Sequence, residues 1–342
     1  MASLAVVILN WNGKELLKEF LPQVLDNSAN FDIVVVDNNS IDGSVELLRE
    51  YFPNVIILQL DNNYGFAGGY NRALLELNYE YVILLNSDVA PSSKWIEPLV
   101  SVLDNDQTIA VAVPKILDYK NPSLFEYAGA AGGFIDYLGY PFCRGRVFDM
   151  LEVDNGQYDD SMELFWASGA AFAVRRELFL SVGGFDEDFF AHQEEIDLCW
   201  RIQKWGYKIQ YVPQSSVFHL GGGTLGHENP RKTYLNFRNS LFMILKNQHS
   251  EIYKTLFFRM LLDGVAAAKY LLTLDFANFS AVFRAHIHFY NKFSLFYKKR
   301  CELKNMSGDH NVSTIFPKSI VLQYFLFRKR TYQMLAEAAK VH

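Results

Sequence analysis

The chain has 342 residues, half of them hydrophobic and 15% aromatic, which excludes a disordered chain and allows one large core with an appended element. Its net charge of −6 hides an asymmetry: residues 1–230 carry 14 Lys/Arg against 32 Asp/Glu, a net −18, while residues 231–342 carry 18 against 6, a net +12. A basic tail on an acidic body implies an anionic partner for the tail, such as a membrane surface or a phosphorylated lipid, and the acidic body disfavours nucleic acid.

Met1-Ala2-Ser3 runs straight into the apolar stretch Leu4–Leu9, so no signal peptide is expected. That stretch reads as a strand, and Lys14 to Leu25 as a helix. Ile33–Val36 is a second strand ending at Asp37, after which Ser40 or Asp42 should cap a helix through Tyr51. Val55–Leu58 is a third strand. Gly65 to Leu77 reads as a Gly-rich loop and then a helix. Tyr81–Leu85 and Ile109–Val113 are the fourth and fifth strands. Continuous β-branched runs separated by helices predict parallel strands buried on both faces.

Residues 118–163 lack a clear period and read as an insertion or long loop over the sheet. Pattern returns with strand Ala170–Val174, helix Arg176–Val182, and a helix from about Glu194 to Trp205 stopped by Gly206. Lys208–Val212 and Ser216–Phe218 read as two short strands. From Tyr234 onward the chain is helical, aromatic and basic, with no 18-residue stretch free of charge, so a transmembrane span is not expected. The expected organisation is a catalytic domain over 1–230 and a helical extension over 231–342. Cys143, Cys199 and Cys301 are odd in number and far apart. They fit a reducing compartment, and the expected location is cytoplasmic, with the tail on the inner face of the membrane.

The chemistry concentrates where strands end. Asn86-Ser87-Asp88 follows the fourth strand, at the edge where open α/β sheets bind ligands, and an Asp there can hold a divalent cation against a diphosphate. Asp37 could accept the N3–H of uracil or thymine, although Asp37-Asn38-Asn39-Ser40 would equally serve a capping turn. Gly65, Gly68 and Gly69 could let backbone N–H groups reach a phosphate, or could serve helix packing. Glu194, Glu195 and Asp197 crowd one helix start; Asp197 can pair with Arg201, and the repulsion that remains should raise a pKa and suit that acid to proton abstraction. His219 ends a strand beside Gly221-Gly222-Gly223-Thr224, a run that could close over a diphosphate. Trp166 could be a sugar platform or core. In the tail, Lys298-Lys299-Arg300 and Arg328-Lys329-Arg330 adjoin aromatics, a pattern suited to anionic lipid or to a solvated helical face.

Taken together, these segments resemble the family 2 glycosyltransferases, particularly their bacterial rhamnosyltransferase-like branch. The matching residues run from Val7-Ile8-Leu9-Asn10-Trp11-Asn12-Gly13 through Val36–Ser44, Asn63–Asn71 and Leu84–Asp88 to Gly183–Glu187 and Glu194–Arg201. The resemblance implies a GT-A fold with a mostly parallel central sheet flanked by helices, a metal-dependent enzyme and inversion at the anomeric carbon. It implies a donor site of Asp37, Asn39, Asn63, Gly65, Asn71, Asn86, Ser87 and Asp88. Asp88 and His219 would hold Mg²⁺ or Mn²⁺, Asn86 standing where the family has its first Asp. The catalytic base falls on Glu195, with Glu194 beside it. The implied donor is a UDP- or dTDP-sugar carrying rhamnose or another hexose. The implied acceptor is a glycan or a polyprenyl-diphosphate-linked hydroxyl in cell-surface polysaccharide synthesis. The rival readings are a nucleotidyltransferase and a non-catalytic nucleotide-sugar-binding protein on a membrane surface.

Overall fold

The computed structural model describes residues 3–221, 229–306, 310 and 312–340. The first half alternates strand and helix: β1 (Leu4–Asn10), α1 (Lys14–Asn27), β2 (Asp32–Asp37), α2 (Ser44–Tyr51), β3 (Ile56–Gln59), α3 (Gly65–Glu76), β4 (Tyr81–Asn86), β5 (Val89–Pro91), α4 (Ile96–Asn105) and β6 (Ile109–Asp118). Next come the short strands β7 (Gly133–Ile135), β8 (Pro141–Cys143), β9 (Arg146–Val147) and β10 (Met150–Leu151). The main sheet resumes with β11 (Met162–Leu164) and β12 (Ala171–Arg175), then α5 (Arg176–Ser181), α6 (Glu194–Lys204) and β13 (Lys208–His219). The helices α7 (Pro230–Asn247), α8 (Ile252–Leu272), α9 (Phe276–Asn291), α10 (Phe293–Met306) and α11 (Tyr332–Lys340) complete it.

The main sheet runs in the order β11-β13-β6-β12-β4-β1-β2-β3, with β5 paired to β13. β1, β2, β3 and β4 are parallel, and so are β6 and β13. The sheet is mostly parallel, as expected, with β12 lying antiparallel between β4 and β6. Along β1, Ala5 and Val7 enter one core layer with α3, α6 and α7, whereas Val6 and Ile8 enter the other with α1 and α4. Burial on both faces is why these strands are continuously apolar in sequence.

Several expectations change on folding. The glycines after Asn63 lie inside α3 rather than in a loop before it. A Cβ on Gly69 would stand 2.7 Å from Leu9 Cδ1, so that glycine lets α3 close onto β1. Neither Ser40 nor Asp42 is the N-cap of α2; Gly43 holds that position, while Asp42 accepts from the N–H groups of Ser44 and Lys14. The two short strands before His219 are one strand, β13, with a register shift between Val212 and Ser216. Residues 118–163 are structured: β7 to β10 form a second, antiparallel sheet, and β11 joins the main one. Trp166 is core, with its indole N–H donating to Phe134 O, and the absence of a Cβ on Gly133 makes room for its ring.

The extension packs into the acidic body through buried ion pairs. Lys246 on α7 bridges Asp186 and Asp197 at 2.7 and 2.8 Å. Arg201 pairs with Asp197 at i,i+4, as the sequence indicates. Lys299 on α10 pairs with Asp186 and Asp188, and Arg300 donates to the carbonyls of Leu245 and His249. Lys299 and Arg300 are therefore internal cations, which corrects the reading of Lys298-Lys299-Arg300 as a lipid-facing cluster. Among the described residues, no helix is long and apolar enough to cross a membrane.

Candidate active site

The carboxyl edge of the sheet gathers the expected residues on short strand-end turns. Asp37 ends β2 and is buried; its Oδ1 accepts from Asn10 Nδ2 and its Oδ2 from the Ser40 N–H. Part of its role is thus the capping-type turn. Asn39 is exposed with φ 62°. Asn38, which the sequence reading passed over, ties this turn to the next element. Its Nδ2 donates to Asn63 Oδ1 and Gly65 O, and its Oδ1 accepts from the Tyr64 N–H. Asn63 Oδ1 also accepts from the Gly65 N–H. Asn71 does not join this group. Its amide donates to Phe185 O and accepts from the Phe185 N–H, which makes it a clamp of the Gly183–Glu187 turn.

Asn86 and Ser87 are half-buried at the end of β4, and Asp88 is 8% exposed. The short strand β5, unforeseen in the sequence, begins at Val89 and pairs with β13 so that Val89 faces His219. The Leu220 N–H donates to Asp88 O. As a result His219 Nε2 lies 3.2 Å from Asp88 Oδ1. On the other side, His219 Nδ1 is 3.3 Å from Glu126 Oε1, a distance of electrostatic contact without hydrogen-bond geometry. Burial alone would lower the His219 pKa, but Asp88 and Glu126 outweigh it and push it up to about 10. Glu126 comes from the segment with no sequence period, and its Oε2 accepts from the Ala128 N–H. A buried Asp–His–Glu row is the pattern in which an outer carboxylate orients an imidazole toward a cation. Of the glycine run after His219, Gly222, Gly223 and Thr224 lie outside the described residues.

The acids at the start of α6 occupy unlike environments. Glu194 is 5% exposed; burial, then the neighbouring Glu195 and Asp197, hold its carboxyl well above the usual range. Glu195 is half-buried, and burial pushes it up to about 7 against hydrogen bonds from its own and the Gln193 backbone N–H. An Oε2 of each is buried without a partner. The loop delivering them is left-handed at Phe190, His192 and Gln193, with φ of 68°, 68° and 71°, conformations that need outside support. That support comes from α7. Asn239 Nδ2 lies within donating distance of Phe189 O, Ala191 O and His192 O at 2.7–3.0 Å. Arg238 donates to Phe189 O, and Gln193 exchanges hydrogen bonds with Ser240. The far side of the loop comes close to the Asn63–Gly65 turn, since a Cβ on Gly65 would lie 3.8 Å from Phe190 O. No sequence signal singles out Asn239 or Glu126.

A mostly parallel sheet whose carboxyl edge assembles an Asp–His pair, a buried strand-end Asp and an acid pair on a braced loop has the arrangement of the GT-A fold. Two solved structures share the fold. One is GalNAc-T7 with UDP, GalNAc and Mn²⁺, at TM-score 0.56 and 19% identity over 72% of this chain and 48% of that one. The other is a Pyrobaculum calidifontis mannosyltransferase with GDP-Man and Mn²⁺, at TM-score 0.52 and 16% identity over 90% and 86%. Glycosyl transferase family 2 matches residues 5–179, about half of the chain, and the chain belongs to that family. It is 26% identical to an N-acetylglucosaminyl-diphospho-decaprenol L-rhamnosyltransferase of Mycobacterium tuberculosis, over 72% of this chain and 85% of the relative. A low-salt glycan biosynthesis hexosyltransferase of Haloferax volcanii is 26% identical over 69% and 73%.

Proposed function

We propose that the protein is an inverting, cation-dependent glycosyltransferase of cell-surface glycan synthesis. It would move rhamnose or another hexose from a UDP- or dTDP-sugar to a hydroxyl of a polyprenyl-diphosphate-linked acceptor. The observation that carries this reading is the buried Asp88–His219 contact at the carboxyl edge. The pair fits a cation: it offers one oxygen and one nitrogen donor, with Glu126 behind the imidazole. Among the described residues, no three His, Cys, Asp or Glu side chains are arranged to hold a metal, which suits an ion whose remaining positions go to donor phosphate oxygens. Such an ion would neutralise charge on the leaving diphosphate. Further support comes from the Mn²⁺ and nucleotide ligands named for the two fold neighbours and from the acceptor in the mycobacterial relative's name.

Glu195 is the proposed base. Burial, with Glu195 and Asp197 beside it, holds the Glu194 carboxyl well above the usual range, whereas the Glu195 carboxyl near 7 matches what general-base catalysis needs. The Glu195 carboxylate takes the acceptor hydroxyl proton as the oxygen bonds to the anomeric carbon. The bond to the diphosphate oxygen breaks on the opposite face, and its electron pair leaves with the nucleotide. No covalent enzyme intermediate forms. A thermal-shift screen of nucleotide-sugars with Mn²⁺ or Mg²⁺ should find a stabilising donor, which then turns over with an acceptor to a product of inverted anomeric configuration. A product of retained configuration, or no response to any donor, defeats the reading.

For the membrane surface, α8 is the better candidate than the basic clusters. Tyr253, Phe257, Leu261 and Val265 recur every four residues on its outer face, each more than half exposed. Each such side chain entering an apolar phase contributes about 1.5–3 kcal/mol, against about 1 kcal/mol for each Lys or Arg near anionic lipid. Apolar contact should therefore dominate. Phe257→Ser with Leu261→Ser is expected to abolish flotation with phosphatidylglycerol vesicles, while Arg328→Gln, Lys329→Gln and Arg330→Gln together should only weaken it. Undiminished flotation of the Ser variant would show that this face does not meet the bilayer.

A further inference from the structure

A cavity of about 440 Å³ lies between the first turns of α7 and the middle of α9, lined by Arg231, Tyr234, Arg284, Ile287 and His288. That volume takes a small-molecule group rather than a lone ion. Part of its wall is fixed in advance: Tyr234 Oη and His288 Nδ1 are hydrogen-bonded across the two helices, and Arg238 Nη1 donates to Tyr234 Oη at 3.1 Å. Arg231 and Arg284 are not fixed in this way. Both are exposed, and among the described residues neither has an ion-pair partner, although residues 1–230 carry a net −18. Two arginines line this cavity, and its described lining residues include no carboxylate; a guanidinium fork matches phosphate oxygens.

Two neighbours give the cavity its meaning. On one side, the Arg231 guanidinium stands 5.2 Å over the ring of Phe190, in the loop that α7 braces and that leads directly to Glu194 and Glu195. On the other side, Ile287 is 44% exposed, and Phe283 and Tyr290, one turn away on the same face of α9, are 64% and 62% exposed. Cationic groups with a reacting loop on one side and an apolar face on the other match a ligand with a phosphate between a sugar and a hydrocarbon chain.

We propose that this cavity binds the phosphate or diphosphate of a lipid-linked acceptor, Arg231 and Arg284 holding its oxygens and the exposed face of α9 receiving its apolar chain. The inference rests on the glycosyl-transfer reading above. A bilayer phospholipid headgroup shares the same chemistry, so the test separates the two. Binding of farnesyl diphosphate, farnesol and inorganic pyrophosphate to the full chain is measured by calorimetry, with UDP binding as an independent readout. Farnesyl diphosphate should bind more tightly than either of its parts. Arg231→Gln with Arg284→Gln should weaken it roughly 10-fold or more, the loss expected for charge-assisted hydrogen bonds, with melting temperature and UDP affinity kept. Arg284→Gln alone, on the exposed face of α9, carries the test if the double variant does not fold. The inference is overturned if farnesol binds as well as farnesyl diphosphate. It is equally overturned if the variant keeps its farnesyl diphosphate affinity while losing phosphatidylglycerol vesicles. A wild-type chain that binds farnesyl diphosphate but no nucleotide-sugar would remove the glycosyl-transfer reading and leave this site standing.

Discussion

Asp88→Ala should lose turnover by roughly 10²-fold or more, because several kcal/mol of charge stabilisation on the leaving group goes with the cation. Wild-type turnover should stop in excess EDTA and return with Mn²⁺ or Mg²⁺. The contact between Asp88 and His219 adds a signature that a merely structural Asp would not give. With no cation bound, His219 is held protonated by Asp88 and Glu126 up to about pH 10. A cation that takes the imidazole nitrogen must displace that proton. Cation binding should therefore release a proton and tighten as pH rises, and His219→Gln should remove most of that release. Calorimetry in buffers of different ionisation enthalpy counts the proton directly. Full activity in excess EDTA, or cation binding without pH dependence, would refute the assignment.

Much of the sheet and of its functional edge could be read from the chain. β1, β2 and β4 are uninterrupted apolar runs that stop at Asn10, Asp37 and Asn86, and that abrupt change marks a buried parallel strand reaching a ligand edge. What escaped depends on partners far away in sequence. β5 is three residues ending in Pro91 and carries no strand signal of its own; it exists because β13 pairs with it, and that pairing is what brings His219 onto Asp88. Glu126 lies in a segment without period because its backbone follows loop-to-strand contacts, its N–H donating to Ile116 O. Asn239 looks like any polar residue in a helix until the left-handed Phe190–Gln193 loop is seen against it. The basic tail misled for a related reason: counting charges cannot tell that Lys299 meets Asp186 and Asp188 inside the protein. The clamp that Asn71 makes on the Phe185 backbone escaped likewise, because its motif position carries no record of that distant partner.

Glu195→Gln should reduce turnover by roughly 10²-fold or more while donor affinity is kept, since the amide preserves shape but cannot accept a proton. The pH profile makes the assignment specific. A base must be ionised to act, and burial pushes the Glu195 carboxyl up to about 7, so wild-type turnover should rise with pH through about 7 and level off above it. The residual turnover of Glu195→Gln should lack that limb. Stability should move in the opposite sense. A carboxyl whose pKa is raised on folding binds its proton more tightly in the folded chain, so its contribution is fully present below the unfolded value near 4.5 and is lost as pH rises through about 7. Glu195→Gln should accordingly melt higher than wild type at pH 8 and no higher at pH 4. Glu194 sits deeper, and burial with Glu195 and Asp197 beside it holds its carboxyl well above the usual carboxylate range; with Glu195 as the base, the shape-preserving Glu194→Gln should cost far less turnover. A dead Glu194→Gln beside a near-wild-type Glu195→Gln would move the base by one residue. It would also mean that the cation or the bound donor reverses the order of the two acids.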